Sequence, residues 1–212
     1  MKYKAHQRYY TKDHTLVPGA TTVLQVLNKP ALVPWANRLG LQGIDCTKYR
    51  DEKAEIGTLA HYLIECELKG EKPDTKDFTE NQIDQAENSL IKFYDWMKEH
   101  KLEVILSEGQ LVSEKYRYGG TVDCYGKMDE KFELIDFKTS SGIFPEMIIQ
   151  LSAYKQLLEE NGHQVDEVRI LRIGRDEKEG FEERKETDLI KYFELFKNCL
   201  NIYHLKKELG IR

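Results

Sequence analysis

No stretch of the chain is apolar enough to cross a bilayer, and the first fifteen residues, MKYKAHQRYYTKDHT, contain no apolar core of a secretory leader. A membrane partner is therefore not expected, and a cytoplasmic location is. Cysteine is sparse: Cys46, Cys66, Cys124 and Cys199 lie far apart with no CxxC pair. That excludes a zinc knuckle or a disulfide framework and leaves reduced thiols in or near the core. Positive charge is in deficit, with 32 Lys and Arg against 37 Asp and Glu, a net charge of -5. Such a balance argues mildly against gripping nucleic acid by bulk electrostatics, although Lys127, Lys131 and Lys138, or Arg169, Arg172 and Arg175, could make a local basic strip. A GxxxxGK[ST] string is missing, so no nucleotide-driven motor is encoded. Internal repeats and low-complexity segments are absent too.

What remains is a soluble globular profile, 212 residues with 40% apolar and 33% charged, which fits one domain over residues 1–212. Thr21-Thr22 caps a short helix ended by Asn28-Lys29-Pro30, and Pro34 opens a second that Gly40 stops. Apolar spacing predicts longer helices over residues 50–68, with Gly70 as a stop, and over residues 80–100. From Leu102 the period becomes strand-like. LEVILSEGQLVS, the segment around GGTVDCYG and KFELIDFKT should form a meander, the last two joined through a tight turn at residues 128–131. A helix from Pro145 to Asn161-Gly162, the strand DEVRILRIG and a helix over residues 187–209 follow. This order implies a mixed α/β sheet flanked by helices.

In FELIDFK the side chains of a strand alternate, so Asp136 and Lys138 project to one face and Ile135 and Phe137 to the other. Alone, DxK in a strand is usually a solvated face. In the expected partner strand, however, Asp123 ends the run Gly119-Gly120-Thr121-Val122-Asp123, and a tight hairpin brings it beside Asp136. Two carboxylates converging near a lysine raise each other's pKa unless a cation sits between them. Mg2+ takes hard oxygen ligands and commonly only one or two protein carboxylates, leaving positions for water and a phosphate. Such an ion lowers the pKa of its water and stabilises charge on a phosphoryl oxygen, with Lys138 facing the scissile phosphate or the water. On the helix GTLAHYLIECE, His61 and Glu65 are four apart and share a face, and Gly57 permits close backbone approach. Gln150 and Tyr154 form a similar pair in the helix after Lys138.

The ordered set GTxxH (Gly57, Thr58, His61), GGTVD (Asp123), IDFKTS (Asp136, Lys138) and QLSAY (Gln150, Tyr154) resembles the PD-(D/E)XK nuclease superfamily over residues 21–154. Within it, the chain looks most like the RecB-type branch, which includes phage and mitochondrial exonucleases. The resemblance implies a restriction-endonuclease-like core, a central mixed β-sheet flanked by helices, with a helical N-terminal segment. It implies Asp123, Asp136, the Phe137 backbone carbonyl and His61 as metal ligands, with Glu108 the best upstream acid and Glu65 and Glu114 as competitors. Lys138 becomes the catalytic lysine, and Gln150, Tyr154, Thr139 and Ser140 become contacts to the nucleic acid backbone. One or two Mg2+ or Mn2+ ions are implied. An iron-sulfur cluster is not, because the members that carry one need three closely spaced C-terminal cysteines and only Cys199 lies there.

The implied activity is hydrolysis of phosphodiester bonds in DNA, as an exonuclease acting on linear or single-stranded ends in phage recombination or repair. DNA is the implied partner, with a single-strand-binding or recombination protein supplying any unwinding; oligomeric state is left open. Two rivals keep the same fold: a structure-specific DNA endonuclease using the same residues, and a nucleic-acid-binding or inhibitory module, which has no need of Lys138. Trp35, Tyr192, Phe193, Phe196 and Tyr203 have the chemistry to stack on bases, but helical spacing favours core packing. Arg169, Arg172 and Arg175 could reach phosphates, or line a solvated strand edge.

Overall fold

A computed structural model describes residues 7–211; the two ends of the expected 1–212 domain, residues 1–6 and 212, lie outside the described residues. A short antiparallel hairpin comes first, β1 (Tyr9–Tyr10) and β2 (Leu16–Val17). The helical segment follows: α1 (Ala20–Val23) with a 3-10 turn at Leu24–Val26, α2 (Leu32–Leu41), α3 (Cys46–Lys69) and α4 (Glu80–Met97). Then come β3 (Leu102–Ser113), β4 (Tyr118–Met128), β5 (Lys131–Lys138), α5 (Pro145–Glu160), β6 (Glu167–Ile173), β7 (Phe181–Glu186) and α6 (Ile190–Glu208). Strands β3-β4-β5-β6-β7 lie in that order in one five-stranded sheet, antiparallel except for the parallel β5–β6 pair. A parallel neighbour needs a crossover, which α5 supplies. The chain is a mixed α/β fold with its sheet flanked by helices.

Local chemistry sets the boundaries. Helix α3 begins at Cys46, a turn earlier than periodicity alone suggested, because the Asp45 carboxylate accepts from Thr47 N (2.9 Å) and Lys48 N (3.1 Å). It ends at Gly70, whose left-handed φ of +66° closes the last turn. Thr79 and Gln82 form a reciprocal capping box on α4. Two expected signals act differently from their reading: Gly19, not the Thr21-Thr22 pair, precedes α1, and α2 runs through Gly40 before the chain turns at Gly43, φ +73°. The β4–β5 hairpin closes as expected through Asp129 and Glu130, both with positive φ (+46° and +74°), which matches the twist of the strands.

The sheet has two covered faces. On one, Val122, Tyr125, Leu134, Val168 and Ile170 pack against α5 and α6, including Phe196 and Cys199. On the other, Cys124, Ile135, Phe137, Leu171 and Ile173 meet Ile64 of α3 and Phe93 and Trp96 of α4. Tyr192 and Phe193 lie partly buried against the first cluster, and Tyr203 packs against its edge. Three of the cysteines are buried, and all four are free thiols.

Arg169, Arg172 and Arg175 form neither a basic strip nor a solvated edge. Each is at most 8% exposed and paired, Arg169 with Glu133 and Glu183, Arg172 with Glu182, and Arg175 with Glu179. Lys127 and Lys131 are likewise paired, with Glu130 and Glu167. Among the described residues, no helix is long and apolar enough to cross a membrane.

Candidate active site

The β4–β5 ladder has its last paired rung at Cys124–Ile135. Past it, the backbone donor of Phe137 turns to a side chain, giving its N–H to Asp123 Oδ2 at 2.9 Å. The carboxylate thus stands in for a ladder carbonyl, and the two strands part around it. Across from Asp123 in β3, Glu108 holds φ +53° between the rungs Ser107–Cys124 and Gly109–Val122. A left-handed backbone on a residue with a Cβ costs on the order of 1 kcal/mol, and here it accompanies a carboxylate turned toward the gap.

Helix α3 brings the third group. A Cβ on Gly57 would stand 2.7 Å from Thr139 Oγ1, so glycine is what lets α3 lie this close to the end of β5. One turn on, His61 reaches the same place, with Nδ1 3.5 Å from Asp123 Oδ2 and its ring edge-on to Phe137. His61, Glu108 and Asp123 each offer a ligand atom, and these atoms lie within 4.8 Å of one another. They line a cleft of about 290 Å³ together with Gly57, Thr58, Tyr62 and Glu65.

Beneath the cleft, Asp136 is 1% exposed. Its Oδ2 lies 2.5 Å from Lys138 Nζ in an ion pair and is otherwise a buried oxygen without a hydrogen-bond partner. Burial and the Asp123 charge push the Asp136 carboxyl up to about 6, against the pull of Lys138. Burial also works against charge on Asp123, yet His61, Lys138 and the Phe137 N–H hold it below the usual carboxylate range. For His61 burial opposes protonation, and Asp123 outweighs it, so the imidazole titrates higher than usual. Lys138, also opposed by burial, is raised by Asp136 and Asp123.

This donor set fits a divalent cation. His61, Glu108 and Asp123 offer the hard oxygen and nitrogen ligands that Mg2+ or Mn2+ takes, while Asp136 lies outside that group as a buried carboxylate paired with Lys138. The mutual repulsion that lifts the Asp136 pKa is what such an ion would relieve.

The other expected residues divide. In α5, Gln150 Nε2 donates to Tyr154 OH at 2.7 Å and to Thr21 Oγ1 at 3.1 Å. Tyr154 is buried over Gly120, where any Cβ would come within 2.5 Å of its ring. Its phenol is raised by burial and then by the Asp136 charge, so it faces the carboxylates as a neutral donor. Thr139 touches α3 at Gly57, as above, whereas Ser140 Oγ donates to Gly142 O at 2.8 Å and closes a local turn. Of the competing acids, Glu65 lines the cleft and pairs with Lys69 at 2.5 Å. Glu114 instead accepts from Lys12 N, tying down the N-terminal hairpin. Sequence reasoning missed Thr21 as a partner of Gln150, and no sequence signal marks it, because the two lie 129 positions apart.

No family model matches the chain. No curated protein matches it either. Among solved structures the chain is similar to an alkaline exonuclease, LHK-Exo, from Laribacter hongkongensis, at 15% identity over 91% of this chain and 92% of that one, TM-score 0.44. It is similar to LHK-Exo in complex with dAMP at 14% identity over 92% and 93%, TM-score 0.44. A third likeness is to SSO0001, at 16% identity over 70% of this chain and 73% of that one, TM-score 0.32.

Proposed function

We propose that the chain is a divalent-metal-dependent nuclease that hydrolyses phosphodiester bonds in DNA, of the PD-(D/E)XK kind and RecB-type branch that its motifs resemble. One observation carries the reading: the buried Asp136 carboxylate, paired with Lys138 and raised by the charge of a second carboxylate, Asp123. A purely structural site gains nothing from burying two carboxylates near each other, because their desolvation and mutual repulsion destabilise the fold. His61, Asp123, Asp136 and the Phe137 carbonyl would hold the ion, with Glu108 as a further carboxylate. When bound, one or two Mg2+ or Mn2+ ions would polarise a phosphoryl oxygen and lower the pKa of a coordinated water.

The chain's own groups do the rest. Lys138, charged through its two carboxylate neighbours, presents its ammonium to the scissile phosphate or the attacking water. The Phe137 N–H fixes the orientation of Asp123. Gln150 and Tyr154, linked by a hydrogen bond and joined to Thr21, offer donors to the phosphate backbone of the strand. Action from a DNA end, in a single domain, follows the exonucleases of the resembled branch.

The test uses linear DNA with Mg2+ or Mn2+ and the variants Asp136→Ala and Lys138→Ala, with circular dichroism as the folding control. Both should lose cleavage while remaining folded; cleavage at the parent's rate by both would sink the mechanism. Supercoiled circular DNA should stay intact, and nicking of it would instead mark an endonuclease.

A further inference from the structure

A second concavity, about 420 Å³, lies between the α1 segment and the C-terminal end of α6. Thr22, Gln25, Tyr203, Lys206 and Lys207 line it around the aliphatic Val26. Among the described residues no carboxylate lines this groove and neither lysine enters an ion pair. That sets it apart from the arginines of β6 and the following loop, all of which are matched by glutamates. In a chain of net charge -5, two unmatched ammonium groups beside a hydroxyl, an amide and an aromatic ring make a local inversion of sign. Lysines in the last turn of a helix also suit its dipole, but the dipole has no use for the ring, the amide or the groove.

A chain of polar contacts leads from the groove toward the candidate active site. Thr22 follows Thr21, which holds Gln150, which holds Tyr154 above the carboxylates. Thr21 and Gln25 stand four apart on the α1 segment and are both exposed, so polar side chains lead from the one place to the other.

We infer that this groove binds a nucleotide unit of a single-stranded nucleic acid whose continuation lies in the metal cleft, an inference that rests on the nuclease reading. Lys206 and Lys207 take the phosphate. Tyr203 takes the face of an unpaired base, and Thr22 and Gln25 take polar atoms of base or sugar. A basic groove with an aromatic platform is the general means of holding a single strand without reading its sequence, and the volume suits one such unit.

The deciding measurement is fluorescence anisotropy of labelled DNA strands, with Ca2+ replacing Mg2+ or Mn2+ to hold back cleavage. One strand has about twenty nucleotides and spans both places, and one has about three and fills only the cleft. For the long strand, Lys206→Ala/Lys207→Ala should lower the slope of log affinity against log salt by about 0.7, and Tyr203→Leu should weaken binding about tenfold. The short strand should bind all variants as it binds the parent. An unchanged slope for the long strand, or an equal loss for long and short strands, overturns the inference. Failure of the parent to cleave either strand with Mg2+ or Mn2+ would sink the nuclease reading instead, and the binding slopes would still decide the groove.

Discussion

Strand β5 carries two buried acids three residues apart on opposite faces, Glu133 and Asp136, and the sheet treats them differently. Glu133 meets Arg169, whose planar fork binds it through Nε (2.7 Å) and Nη2 (3.0 Å). The same guanidinium reaches Glu183 and Glu167 and lies 5.5 Å from the Trp96 ring, which donates to Glu183. Both Glu133 oxygens find a directional partner, so the cluster is complete without a ligand. The ion-pair partner of Asp136 is an ammonium, a point charge that cannot satisfy a carboxylate as a fork does. Asp136 keeps an oxygen without a hydrogen bond and a raised pKa. Burial and charge are common to both clusters; hydrogen-bond completeness separates a structural network from a candidate site.

That contrast can be broken or sharpened by experiment. The largest effect should be on cleavage: Asp136→Ala and Lys138→Ala each lower the rate by about a thousandfold or more, with the fold retained. A comparable rate loss in Arg169→Met would erase the distinction between the two faces. Arg169→Met should instead act on stability, costing about 3–5 kcal/mol in denaturant unfolding, because it strands Glu133 in the interior. Metal affinity by calorimetry should be close to the parent's.

A pH scan sharpens the comparison further. The Asp136 carboxyl sits at about 6 in the fold against the ordinary 3.8 of a free side chain, so the unfolded chain gives up this proton first as pH rises. The metal-free protein therefore loses stability between pH 4 and 6 on this group's account, on the order of 3 kcal/mol. His61, raised in the fold, adds a loss in the same direction through its own titration, while Asp123, lowered, stabilises above its unfolded value and loses that as pH falls. Mn2+ should raise the melting temperature at pH 8 and have little effect at pH 5, where protons compete for the ligands. A melting temperature indifferent to Mn2+ at both pH values would speak for a second structural cluster.

The smallest effect concerns the helix that delivers His61. Gly57→Ala should cost about 1–3 kcal/mol through overlap with Thr139. The double variant Gly57→Ala/Thr139→Ala should recover most of it in a double-mutant cycle, since the clash is with that one hydroxyl.

Much of this was legible beforehand where the signal is local. The β4–β5 hairpin followed from alternation and a polar turn, and its register brings Asp123 to Asp136. The closeness of α3 was foreshadowed by Gly57, and the buried C-terminal aromatics by their spacing. Strand β7 was not legible: FEERKE has no apolar alternation, and it is a strand because β6 offers Arg169 and Arg172 to its glutamates. The arginines were misread for the same reason, since a lone Arg in a strand looks like a solvated edge until its acids arrive from elsewhere in the chain. The β1–β2 hairpin escaped notice because it is two residues per strand and is held by long-range contacts, such as Tyr9 OH with Thr121 Oγ1 at 3.0 Å.

The sequence by itself determined which groups share a strand face or a helix face: Asp136 with Lys138, His61 with Glu65, Gln150 with Tyr154. Periodicity is a property of the backbone and needs no partner. Only the tertiary structure decided which of those faces meet. It alone set Glu108 in a left-handed backbone opposite Asp123, sent the Phe137 N–H to a carboxylate, joined Gln150 to Thr21, and left Asp136 without the fork that Glu133 received. Those outcomes depend on distances between segments far apart in the chain, where burial fixes the cost of every unmet hydrogen bond.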